Sequence, residues 1–156
     1  KIRYEYDRIC MNARISTIQA AILLEKFDIF PLELEKRQNV ANNYNKHLNQ
    51  INLGIKTPVL IKEATSSWAQ YTIILPDDIN RDTLQENLKS KNIPTAVYYP
   101  IPLNEHKPYE KYPVSHEGLS NTIYLSKNVL SLPMHPYLGE NDIILIVKSI
   151  AEAIKN

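Results

Sequence analysis

Two short stretches hold the side chains best suited to binding chemistry. Near the start, Asn12 and Arg14 stand two positions apart in Cys10-Met11-Asn12-Ala13-Arg14-Ile15-Ser16. An asparagine amide can donate to a phosphate oxygen without adding charge, and the planar arginine fork matches a carboxylate or a phosphate. Further on, Tyr98-Tyr99-Pro100-Ile101-Pro102-Leu103-Asn104 sets two phenol rings beside a proline-stiffened turn. A tyrosine offers a flat apolar face with a polar tip, which suits the wall of a sugar or cofactor site and equally the edge of a plain core. If residues 95–99 form a strand, alternation sends Tyr98 and Tyr99 to opposite faces, and only one of them reaches a ligand. His135, flanked by Met134 and Pro136, reads as a turn histidine rather than a catalyst. Cys10 has no base or metal ligand near it in sequence and is assigned no reactivity.

The elements that must position these residues follow from periodicity. Residues 15–27 and 31–48 read as two helices separated at Pro31, because proline suits a first helical position and breaks an interior turn. In the second, Leu34, Ala41, Tyr44 and Leu48 fall on one stripe, with Glu33, Lys36 and Arg37 facing away. Residues 49–67 read as loop, with a short extended piece over 57–60. Trp68 to Leu75 alternates as a strand does, with Ala69, Tyr71, Ile73 and Leu75 on one face, and stops at Pro76-Asp77-Asp78. A short helix over 81–92 begins at Asn80, a residue suited to cap it. A second strand covers 95–99, a long proline-bearing loop covers 104–118, a helix covers 119–127 and a third strand 129–132. The spacing of Ile143, Ile144, Val147, Ile150, Ala151 and Ile154 predicts an amphipathic helix over 140–155. The sum is an α+β layer: a small antiparallel sheet of about three strands packed with helices.

Composition narrows the function classes. The chain has 156 residues, 44% of them hydrophobic, enough for about one domain with a real core. A net charge of +1 gives no electrostatic case for nucleic acid or an anionic membrane. No apolar run approaches the roughly 20 residues that span a bilayer, and residues 1–8 are too polar for a signal peptide. The single cysteine forms no internal disulfide and, without a CxxC pair or spaced histidines, makes no zinc site, which fits a reducing cytoplasm. With only Gly54, Gly118 and Gly139, the chain has no glycine-rich loop to cradle a nucleotide phosphate.

Five blocks, in order, resemble one enzyme family: Cys10 to Leu23 with its Asn-x-Arg and Ile-Gln-Ala-Ala, Lys36-Arg37-Gln38-Asn39-Val40-Ala41-Asn42-Asn43-Tyr44, Trp68-Ala69-Gln70-Tyr71, Tyr98 to Asn104, and Leu130-Ser131-Leu132-Pro133-Met134-His135-Pro136. Together they resemble the DegT/DnrJ/EryC1/StrS group of pyridoxal-phosphate-dependent sugar aminotransferases, with Cys10 standing at the group's glycine. Pro102-Leu103-Asn104 and the Trp-Ala-Gln-Tyr block are most similar to members that aminate the 3-keto carbon of a UDP-linked N-acetyl-glucuronate; Tyr98 departs from the histidine common there.

The resemblance implies the C-terminal portion of a fold-type-I aminotransferase, residues 1–49 being an entering segment with linker helices and residues 50–156 the small domain. It implies a homodimer with shared active sites, in which Asn12 meets the phosphate of pyridoxal 5'-phosphate in the neighbouring subunit. Arg14, Tyr98, Tyr99 and Asn104 are then the substrate-binding candidates, Arg14 being the residue best able to pair with a uronate carboxylate. The implied reaction moves an amino group from glutamate to a UDP- or dTDP-linked keto-sugar in surface polysaccharide or glycan biosynthesis. The imine-forming lysine and its partner aspartate lie upstream of Asn-x-Arg in the group, so this chain is expected to be inactive alone, with no catalytic residue and no metal ligand. Two other classes share the residues: a non-catalytic domain supplying dimer contacts and substrate walls, and a stand-alone sugar-binding module.

Overall fold

The computed structural model describes residues 13–155, and the chain divides between Leu32 and Glu33 into two compact units. In the first unit Ser16 opens the helix α1 (Thr17–Ile51). The Gln19 N–H donates to Ser16 Oγ at 3.2 Å and the Ser16 N–H donates to Gln19 Oε1 at 3.4 Å, a reciprocal pair that satisfies two donors the helix start leaves open. Apolar side chains along this stretch, among them Ile18, Ile22 and Phe27, are exposed.

The expected break at Pro31 does not occur, and α1 is one helix of 35 residues with Pro31 inside it. Proline's fixed φ matches helical backbone, and its cost is one forfeited bond and a crowded carbonyl, about 3 kcal/mol, which a long ladder can absorb.

In the second unit the core is built from α1's later turns, the sheet and two further helices. Val40, Ala41, Tyr44 and Leu48 are buried, a stripe at helical spacing. The charged residues expected to face away are drawn onto the protein instead. The Arg37 guanidinium donates to the Trp68 carbonyl at 3.0 Å, Tyr137 donates its hydroxyl to Glu33 at 2.7 Å, and the Lys36 ammonium sits 4.9 Å from the Tyr137 ring centre. Long charged side chains lay their stems along apolar surface while the heads find partners, so helical angle alone misassigned them.

The sheet pairs β1 (Tyr71–Ile74) with β2 (Val129–Leu132) antiparallel, Tyr71 opposite Leu132 and Ile74 opposite Val129. Single bridges extend it on both outer edges, Lys56 to Ile74 and Ala96 to Ser131. The extended piece expected at 57–60 is thus the one bridge at Lys56, and the strand expected at 95–99 is the one bridge at Ala96. Pro94 lacks a donor and Pro100 lies close behind, leaving little backbone for a ladder. Because Ser131 exchanges both backbone bonds with Ala96, its pairing with Thr72 is the close, non-hydrogen-bonded kind, and the Thr72 and Ser131 hydroxyls meet at 2.8 Å. Tyr71, Ile73 and Leu75 point into the core as expected, whereas Ala69 is exposed because the strand begins only at Tyr71.

The helix α2 (Arg81–Ser90) starts at Asn80, whose side-chain oxygen accepts the Thr83 N–H at 2.9 Å, and buries Leu84 and Leu88. The helix α3 (Ser120–Asn128) runs straight into β2, and α4 (Glu140–Lys155) buries Ile143, Ile146, Val147 and Ile150 against the sheet layer. Ile144, Ala151 and Ile154, expected on that face, are half-buried at its margin. An aromatic pair joins α1 to β1: Tyr44 and Tyr71 stack with ring centres 4.7 Å apart, and Tyr44 donates to the Pro133 carbonyl at 2.8 Å. Burial raises both phenol pKa values, so each hydroxyl stays a donor.

Candidate functional site

The segment after Ala96 leaves the sheet and becomes a chain of tight turns. Prolines at 100, 102, 108 and 113 exclude a regular ladder, and local bonds replace it. The Glu105 N–H donates to the Pro102 carbonyl at 3.0 Å and His106 to Leu103 at 3.2 Å, closing a 3-10 turn over Leu103–Glu105. Tyr109 and Glu110 then donate back to the His106 carbonyl at 2.7 and 3.2 Å, and Tyr112 to Tyr109 at 3.0 Å. Gly118, at φ +77°, supplies the left-handed residue that returns the chain to α3.

These turns lie against α3 and the start of β2 and leave two adjoining clefts. The first, about 490 Å³, is walled by Tyr98, Tyr99, His106 and Thr122, with Ser126 and Val129 at its base. The second, about 560 Å³, is walled by Asn104, Tyr109, Tyr112, Pro113 and Ser115. Leu103 and Thr122 border both. Tyr98 and Tyr99 therefore both reach the first cleft, contrary to the expectation that one would point away. They do not belong to a strand, their peptide bond is cis, and their rings meet edge to face at 5.7 Å and 74°.

Among the described residues, no aspartate, glutamate or lysine lines either cleft, and His106 is the one ionisable nitrogen on their walls. The walls offer phenol, hydroxyl, amide and imidazole donors on apolar faces, an arrangement that holds and orients a polar ligand. No group of three metal-ligating side chains occurs among the described residues, and no described helix is long and apolar enough to cross a membrane.

Of the residues singled out by sequence, Tyr98 and Tyr99 share the first cleft and half-buried Asn104 lines the second. Arg14 is exposed in the first compact unit, and Asn12 and Cys10 lie outside the described residues. His135 is exposed, its Nδ1 accepting the Tyr137 N–H at 3.2 Å, as a turn histidine would. Sequence reading missed His106, Thr122, Tyr109 and Tyr112 as wall residues, since turns impose no period that marks one face.

The family model for the DegT/DnrJ/EryC1/StrS aminotransferase family matches residues 1–151. The chain is 41% identical over 148 residues to UDP-2-acetamido-2-deoxy-3-oxo-D-glucuronate aminotransferase of Pseudomonas aeruginosa, covering 92% of this chain and 38% of that protein. It is 30% identical over 151 residues to UDP-N-acetyl-3-dehydro-alpha-D-glucosamine 3-aminotransferase of Acidithiobacillus ferrooxidans, covering 97% of this chain and 39% of that protein. A crystal structure of an aminotransferase of this type from Brucella abortus superposes with a TM-score of 0.89 at 38% identity, over 100% of this chain and 40% of that one. The chain thus spans about two-fifths of the length of these relatives. Motif order, the α+β fold and these matches over nearly the whole chain agree: it belongs to the DegT/DnrJ/EryC1/StrS aminotransferase family.

Proposed function

We propose that this chain is the substrate-side portion of a pyridoxal-phosphate-dependent enzyme that transfers an amino group, from glutamate, to the keto carbon of a UDP- or dTDP-linked sugar. Residues 1–49 form its entering segment and linker helix, and residues 50–156 its small domain. The observation that carries the reading is the first cleft, where Tyr98 and Tyr99 stand over Thr122 and Ser126 with His106 alongside. A sugar ring presents hydroxyls at its rim and C–H groups on its faces, and phenol rings with hydroxyl neighbours answer both. The relatives at 41% and 30% identity both act, by their names, on 3-oxo sugars linked to UDP. A UDP-linked 3-keto-glucuronate is the substrate we favour, in polysaccharide biosynthesis in the cytoplasm by a homodimer with shared active sites.

The two clefts do not fit the cofactor. Their described walls lack the lysine amine that would hold it as an imine and the carboxylate that would face its pyridine nitrogen. No catalytic step is therefore drawn through them; their work is to bind and orient the sugar. Asn12 is proposed to donate its amide to the cofactor phosphate, and Arg14 to pair with the uronate carboxylate. The 156-residue chain alone should neither trap cofactor on a lysine under borohydride nor transaminate, and a stoichiometric lysine adduct found by mass spectrometry would overturn that.

The substrate test is steady-state kinetics of the full-length enzyme on a UDP-linked 3-keto-uronate and its neutral counterpart. Arg14→Lys keeps the charge and loses the two-pronged geometry, so kcat/KM should fall for the uronate and hold for the neutral sugar. Equal losses on both would remove Arg14 as the carboxylate reader. Failure of the wild-type enzyme to aminate any keto-sugar nucleotide would remove the function itself.

A further inference from the structure

The second cleft is not used by the sugar-binding role above, and its walls differ in kind from those of the first. Tyr109 and Tyr112 stand with ring centres 6.3 Å apart at 38°, forming an open, tilted aromatic bracket. The Lys111 ammonium lies 5.7 Å from the Tyr112 ring centre, leaving one cation at the bracket's edge. Pro113 and Val114 complete an apolar surface, while Asn104, Ser115 and Thr122 supply a few polar groups along it. Flat apolar faces with a sparse polar edge suit a planar heteroaromatic ring. The Asn104 amide carries both a donor and an acceptor, the combination that an imide edge such as that of uracil or thymine requires.

Position says which molecule brings such a ring. Leu103 and Thr122 border both clefts, so a ligand whose sugar rests against Tyr98 and Tyr99 has the second cleft as its immediate neighbour. A nucleotide sugar must place its base beyond its sugar. The bracket rests on residues held by local bonds, Tyr112 to Tyr109 at 3.0 Å and Tyr109 to His106 at 2.7 Å, so the rings sit on a backbone set before any ligand arrives. We propose that Tyr109, Tyr112 and Asn104 form the nucleobase subsite, a pyrimidine base lying on the two rings with its polar edge toward the Asn104 amide. This rests on the nucleotide-sugar reading above and adds where the nucleotide is recognised.

Calorimetric titration of the full-length protein with UDP, and with inorganic pyrophosphate as the probe that lacks a base, tests it. Wild-type protein binds UDP more tightly than pyrophosphate. Tyr112→Ala raises the UDP Kd roughly ten-fold, on the scale of base–aromatic stacking, and leaves the pyrophosphate Kd within about two-fold. Tyr112→Trp, which keeps a ring face, restores UDP affinity; Tyr112 is 60% exposed, so neither change disturbs the core. Asn104→Leu weakens UDP and spares pyrophosphate. If Tyr112→Ala and Tyr109→Ala both bind UDP as the wild type does, or if they lose UDP and pyrophosphate equally, the base subsite is wrong while the aminotransferase reading stands. If wild-type protein turns over keto-sugar nucleotides yet binds UDP no better than pyrophosphate, the base is not recognised and the proposal falls. Absence of both UDP binding and sugar-nucleotide turnover in the wild type would instead remove the parent reading.

Discussion

Replacing Tyr44 with Phe deletes one oxygen from the centre of the second unit and leaves everything else in place. The ring is fully buried and its stacking on Tyr71, at 4.7 Å and 22°, survives the change. What goes is the hydroxyl donation to the Pro133 carbonyl at 2.8 Å, which ties α1 to the end of β2 across 89 residues of sequence. A net hydrogen bond contributes about 1 kcal/mol, and a buried carbonyl deprived of its donor adds to the loss, so the expected cost is about 1.5 kcal/mol. With a urea m-value of about 2 kcal/mol/M, the midpoint falls by about 0.7 M at unchanged slope. Tyr71→Phe is the control: its hydroxyl donates to half-buried Asn45, which water can still reach, so that variant should lose only about 0.5 kcal/mol. Alkaline titration adds a second readout. Burial, the largest cause, raises the Tyr44 pKa above its ordinary 10.0, so the folded state disfavours ionisation. A raised folded pKa contributes stability that is fully present below pH 10.0 and is lost as pH climbs toward the folded value, so wild-type protein weakens above pH 10.0 and Tyr44→Phe weakens less. An unchanged urea midpoint for Tyr44→Phe, or a larger loss for Tyr71→Phe, would refute this account of the α1 anchor.

Three further outcomes are expected. Asn80→Ala removes the acceptor for the Thr83 N–H and should cost about 1 kcal/mol in a thermal or urea melt, with Asn80→Ser close to wild type. Glu140 accepts from His47 at 2.9 Å and Lys46 at 3.1 Å, and these hydrogen bonds hold its carboxyl below the ordinary 4.5; the stability it adds is present above pH 4.5 and is lost as pH falls through the lower folded value. Glu140→Gln should therefore flatten the acid limb of a urea-midpoint profile below pH 4.5. In the full-length enzyme, Asn12→Ala should raise the dissociation constant of pyridoxal phosphate through the loss of about 1 to 3 kcal/mol, measured by equilibrium dialysis, and an unchanged constant would return Asn12 to a helix-start residue.

Regular elements were legible because their physics is local. The period of Ile143, Val147 and Ile150 set α4, Asn80 marked the start of α2, and alternation placed Tyr71, Ile73 and Leu75 on the core face. The departures arise where a distant partner decides. Trp68 takes the Gln38 side chain as acceptor for its indole N–H and offers its carbonyl to Arg37, and no helical wheel shows that a tryptophan 30 residues on will turn that face inward. Pro31 likewise was weighed as a local breaker, whereas the helix continues through it.

The clefts show the same division at the functional site. Their residues were partly legible, since the Tyr-Tyr-Pro-x-Pro string announces an irregular, ligand-facing segment. Their geometry was not, because alternation applies only to strands and the chain after Ala96 is held by bonds to carbonyls three or four residues back. A turn of that kind can set consecutive side chains on one side, which a strand forbids, and that is how Tyr98 and Tyr99 come to share a wall. The consequence for function is that recognition here belongs to the turn, not to the sheet. Substitutions in β1 or β2 should act on substrate binding only through stability, whereas exposed Tyr99 and Tyr112 should alter binding with the fold intact.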